Sequence, residues 1–167
     1  MTELTSVLHD QHQDLHDSMT HVSGLQGAAR CDVFLHVRRR LAVHQAFEEL
    51  VAIPRLGAAP DGTPAQPVTL EREVVVAEQI PIDSPEFDAA FARVVVAHLH
   101  HMQQQETEVF PRLRAPLTAA ESALVATAAQ LWLGGGEVYF GNTYAQMVLA
   151  AREQLSHAEE VPPPIGR

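Results

Sequence analysis

His44-Gln-Ala-Phe-Glu48-Glu49-Leu-Val-Ala-Ile-Pro54-Arg-Leu56 and, further along the chain, His101-Met-Gln-Gln-Gln105-Glu106-Thr-Glu108-Val-Phe-Pro111-Arg-Leu113 read as two copies of one segment. Each opens on a histidine, carries a glutamate five residues later and stops at Pro-Arg-Leu. Residues four apart on an α-helix differ by about 40° in direction, so His44 and Glu48 stand one turn apart on one face. An imidazole and a carboxylate so placed can share a metal ion. In a bundle core, such pairs from facing helices build two-metal carboxylate sites suited to iron, manganese or zinc. The same spacing also describes an ordinary surface ion pair, and it is the repetition that favours the metal. In the second copy the residue four after His101 is Gln105. Glu106 points about 140° away from His101 on a regular helix, whereas Glu108 lies nearly above it. Geometry therefore prefers Glu108, or an arrangement in which Glu106 reaches sideways to bridge two ions.

Helical periodicity extends outward from both copies. Leu4, Val7, Leu8, Leu15, Met19 and Val22 recur at helical intervals and predict a first helix over residues 4–22, ended by Gly24 and Gly27. Asp32 is a candidate cap for a second helix running to Ile53, where Pro54 stops it. Residues 57–67, with Gly57, Pro60, Gly62, Pro64 and Pro67, read as a loop. A short third helix follows from Val68 to Ile80, and Ser84-Pro85 opens a fourth that runs to Phe110. Thr118-Ala-Ala-Glu121 is a capping box for a fifth helix, broken at Gly134-Gly135-Gly136, and a sixth segment runs from Glu137 to His157. No stretch alternates with a period of two. The expected class is all-α: a four-helix up-down bundle over residues 1–115, a helical extension over 116–160 packed on it, and a disordered tail over 161–167.

Composition bounds the function. Eleven basic against twenty-one acidic residues give a formal charge of −10, which argues against nucleic acid or an anionic membrane as partner. Cys31 stands alone, so neither a disulfide framework nor a zinc–thiolate cluster is expected. The polar start Met1-Thr-Glu-Leu-Thr lacks the pattern of a secretion signal, and no apolar run reaches membrane-spanning length; the expected location is cytoplasmic. No Gly-x-Ser-x-Gly elbow, phosphate-cradling loop or His-Glu-x-x-His motif is present, and Cys31 is a weak nucleophile candidate.

The remaining histidines are less informative. His9, His12 and His16 form a stripe on the first helix that faces either core or water; His98 and His36 are candidates for completing a metal site.

The chain resembles the hemerythrin-like, HHE cation-binding family. The resemblance rests on Asp10-Gln-His12, His44-x3-Glu48-Glu49 through Pro54, Ser84-Pro85-Glu86-Phe87-Asp88, and His101-x4-Glu106-x3-Phe110-Pro111, and it spans residues 4–115. It implies His12, His44 and His101 as imidazole ligands, Glu48 and Glu106 as carboxylates bridging two irons, and dioxygen, peroxide or nitric oxide as the small-molecule ligand. The departure is in the third helix, where the family supplies histidine and this chain reads Leu70-Glu71-Arg-Glu73-Val74-Val-Val-Ala77-Glu78. Three outcomes are open: Glu73, or else Glu71 or Glu78, replaces the missing imidazole; one metal position is vacated; or the site is dead. A carboxylate there adds negative charge and favours the ferric state, which points to oxidative chemistry or sensing over reversible oxygen carriage. A di-iron oxygenase acting on a small molecule and a metal-free interaction bundle are the alternatives. The C-terminal aromatics Trp132, Tyr139, Phe140 and Tyr144 either wall a pocket beside the metals or pack the extra helices.

Overall fold

The computed structural model describes residues 3–57, 68–113, 115–134 and 141–158, and all regular structure among them is helical. Helix α1 (Glu3–Gly24) buries Leu4, Leu8, Leu15, Met19 and Val22, the expected stripe, with Gln11 and His12 set into its middle. Helix α2 (Gly27–Phe47) begins earlier than Asp32. The reason is a cap from elsewhere: the Gly27 N–H donates to Asp83 Oδ1 at 2.8 Å, so Asp32 falls inside the helix and is exposed.

Pro54 does not stop the chain at Ile53. A π-helical turn at Glu48–Ala52 leads into the short α3 (Ile53–Leu56), and the Ile53 N–H reaches back five residues to the Glu48 carbonyl. A proline in a regular α-helix collides with the carbonyl four residues back and offers no N–H; widening the preceding turn relieves that collision. The second copy behaves alike. Helix α5 (Pro85–Gln104) passes into a π-turn at Gln105–Val109 and a 3₁₀ turn at Phe110–Arg112 that contains Pro111.

The caps of α5 and α6 (Ala119–Trp132) are as expected: Ser84 Oγ accepts from the Phe87 N–H, and Thr118 and Glu121 form a reciprocal box. Helix α4 covers Val68–Ala77 and α7 covers Tyr144–Ala158. The loop expected at 57–67 lies, after Gly57, outside the described residues, as do Tyr139, Phe140 and the tail over 161–167.

Helix α1 packs on α2 and α5, α4 packs on α5, and α7 packs on both α2 and α4, closing a circuit around the core; α6 covers α2 and α7. Phe34, Phe87 and Phe91 pack ring against ring at 5.1–5.7 Å in one layer of that core. His44 and His101 lie ten residues beyond Phe34 and Phe91 on their helices, so a polar layer sits about 15 Å further along the axis. Among the described residues no helix is long and apolar enough to cross a membrane.

Candidate metal centre

Three donor atoms converge in the polar layer. His44 Nε2 lies 3.3 Å from His101 Nε2, and Glu48 Oε1 lies 3.2 Å from the first and 3.3 Å from the second. Metal–ligand bonds of about 2.1 Å separate neighbouring donors by about 3.0 Å in octahedral and about 3.4 Å in tetrahedral geometry. The triangle falls inside that window. His12, entering from α1, brings a fourth donor, and the four donor atoms all lie within 4.8 Å of one another. All four side chains are buried.

The hydrogen bonding around them fits a cation. His44 Nδ1 is 2.8 Å from Gln11 Oε1, an atom that can only accept, so Nδ1 carries a proton and Nε2 is the nitrogen turned towards Glu48 and His101. Both ring nitrogens of His12 are buried without a hydrogen-bond partner, whereas Glu48 Oε1 is held at ion-pair distance by two imidazoles. Orphans of this kind cost about 1–3 kcal/mol each unless something coordinates them. Burial, reinforced by His44 and His101, pushes the His12 imidazole down to about 2, so it is neutral and able to ligate at ordinary pH. Burial alone would raise the Glu48 carboxyl, but His44 and His101 outweigh it and hold the group below the usual carboxylate range. The donor set is three imidazoles and one carboxylate, which suits iron, manganese or zinc.

The structure places the other expected residues unevenly. Glu106 Oε1 lies 3.0 Å from His9 Nδ1 and 3.9 Å from His12 Nδ1, at the α1 edge of the cluster; the wide turn at Gln105–Val109 starts just before it. Glu108 is exposed beside Gln104. Glu73 is not brought to the cluster: it pairs with Arg93 at 3.0 Å and Arg72 at 3.1 Å, and those guanidinium hydrogen bonds, Arg93 first, lower its carboxyl pKa. The cause is the face of α4 on which it lies. Leu70 and Val74 take the core side, which sends Glu73 towards α5 and leaves Glu71 at the cluster's edge. Glu78 accepts from Arg38 at 2.7 Å and from the Tyr144 N–H at 2.8 Å, clamping the start of α7. His98 is buried, hydrogen-bonded through Nε2 to the His12 carbonyl at 3.2 Å, and burial pushes it down to about 4. His36 is exposed.

A small cavity of about 30 Å³ opens beside the triangle, lined by His44, Gln45, Glu48 and His101, by Leu70 and Glu71 of α4, and by Tyr144 of α7. Tyr144 is buried and its hydroxyl donates to Gln45 Oε1 at 2.8 Å. Gln11 and Gln45 escaped the sequence reading. Gln11 carried a signal, since it shares a face with Leu8, His12 and Leu15; Gln45 carried none, because its partner comes from a distant helix.

Against this geometry stand the comparisons with known proteins: no family model matches the chain, and no curated protein or solved structure is detectably similar to it.

Proposed function

We propose that this chain is a non-haem iron protein of hemerythrin-like type, reacting with dioxygen, peroxide or nitric oxide in oxidative chemistry or sensing. The observation that carries the reading is the convergence of His12, His44, Glu48 and His101 from α1, α2, the first π-turn and α5 on one point, with both His12 nitrogens otherwise unpartnered. The resemblance noted in the sequence supports it at those same four residues. A bound iron would supply an open coordination position and electrons for the incoming small molecule. The chain's own part is distinct: Gln11 orients His44, burial keeps His12 neutral, and the apolar surround limits water.

One ion fits the triangle of His44, Glu48 and His101 as it stands, and His12 joins as a fourth ligand by a small inward movement. Two irons require Glu106 to turn from His9 towards His12, a move its 3.9 Å approach supports, with Glu71 rather than Glu73 as the nearby carboxylate of α4. A cavity of about 30 Å³ has room for roughly two water-sized molecules, which favours small ligands over the organic substrate of an oxygenase.

Elemental analysis of purified protein after anaerobic iron loading tests the proposal. Wild type is expected to retain one or two irons per chain, and His44→Ala and His101→Ala to retain none. Wild type holding no more metal than these variants would leave a structural bundle.

A further inference from the structure

The cavity beside the cluster has one wall that the bundle's third helix does not provide. Helix α4 contributes Leu70 and Glu71, and a further polar group, Tyr144, is delivered from the other side by α7. Its hydroxyl is the end of a chain of hydrogen bonds whose direction can be worked out.

Arg152 is bound to both carboxylate oxygens of Glu49, through Nη2 at 2.7 Å and through Nε. A carboxylate so engaged accepts and does not donate, so the Gln45 group lying 3.1 Å from Glu49 Oε1 is its amide nitrogen. The amide oxygen of Gln45 is thereby turned towards Tyr144, 2.8 Å away. The phenolic proton is committed to that oxygen. What Tyr144 has left to offer the cavity is lone pairs, and burial, with Glu71 and Glu48 next in effect, raises the phenol well above its ordinary range so that it stays protonated.

We infer that Tyr144, oriented by Gln45 and Glu49, is a positioning residue that accepts a hydrogen bond from the incoming ligand, so that the site favours a small protonated oxygen ligand of the hydrogen peroxide class over a bare anion or diatomic. The inference rests on the metal-binding reading and narrows its ligand. The cavity size agrees, since about 30 Å³ accommodates hydrogen peroxide and little more. A bare anion such as azide meets the phenol's lone pairs and gains nothing from them.

The test uses iron-loaded full-length protein with two probes, hydrogen peroxide and azide, and records iron per chain on every sample. Dissociation constants come from the concentration dependence of the change in iron absorption. Tyr144→Phe is expected to weaken hydrogen peroxide by about fivefold, the worth of one neutral hydrogen bond, and to leave azide within about twofold. Gln45→Leu releases the phenolic proton for donation, so azide is expected to tighten by about fivefold while peroxide holds. Equal weakening of both probes in Tyr144→Phe would mark a wall and not an acceptor, and would overturn the inference, as would no change in either variant. Wild type without iron would instead overturn the metal reading itself, and the iron measurement separates the two failures.

Discussion

Buried histidines make this protein's stability depend on pH in a direction that follows from their environment. His12 and His98 titrate at about 2 and about 4 in the folded chain, against 6.5 in the unfolded one, because burial disfavours the imidazolium in both. As pH falls below 6.5 the unfolded chain binds protons that the folded chain cannot, so stability is full above that value and declines below it. Each group loses about 1.4 kcal/mol of stability by about pH 5.5, and the metal-free protein should lose about 2–3 kcal/mol between about pH 7.5 and that point. Urea titrations at the two pH values measure it, and His98→Leu should remove about half the difference. A pH-independent unfolding free energy would contradict the burial assigned to these rings. Carboxylates divide at the same scale. Glu48→Gln should abolish metal retention, because Glu48 Oε1 is one corner of the donor triangle, whereas Glu73→Ala should leave metal content unchanged, because Glu73 is engaged with Arg93 and Arg72 outside the cluster.

At the scale of elements, what was legible in the chain is what is local. The stripe of α1, the Ser84 cap and the Thr118–Glu121 box depend on residues three or four apart, and each stands where periodicity and capping chemistry put it. His44, Glu48 and His101 were legible for the same reason, through helical spacing and a repeated segment, whereas His12 entered only through the family resemblance, its own stripe of histidines leaving core and water both open. The features that were not legible each need a partner distant in sequence. The α2 cap comes from Asp83, so the local candidate Asp32 was the wrong residue. The wide turns before Pro54 and Pro111 were hidden because a proline in sequence reads as a stop, while a π-turn lets the helix pass it. Glu73 was misplaced because the face α4 presents is decided by what packs against it, here Arg93 on one flank and Tyr144 of α7 on the other. Asp83→Ala should therefore cost about 1 kcal/mol of unfolding free energy, the worth of a lost cap, and Asp32→Ala should cost almost nothing. Chemical denaturation of both variants checks it; the reverse order would return the cap to Asp32.

At the scale of the whole molecule, the polar layer is a place where stability and ligation pull apart. Around it the core is apolar and closely packed, with Leu8, Leu15, Leu41, Phe47 and Met147 almost fully buried. Within it, the two unpartnered nitrogens of His12 make the metal-free fold less stable than an apolar layer would. Metal binding reverses the balance, since a ligand that binds only the folded chain at a hundredfold its dissociation constant adds about 2.7 kcal/mol. For a chain of this size that raises Tm by about 5–10 °C, and chelation should remove the increment. His12→Leu separates the two effects because it fills similar space without polar atoms. Metal-free, the variant should be more stable than wild type by about 1–3 kcal/mol, since the orphaned nitrogens are gone. With metal supplied, it should gain little further, because one of the four ligands is gone. Calorimetric scans of both proteins with and without metal give the four values needed. A histidine held for packing alone would show neither the gain without metal nor the loss with it, and a His12→Leu protein less stable in both conditions would place the ring among the ordinary contacts of the core.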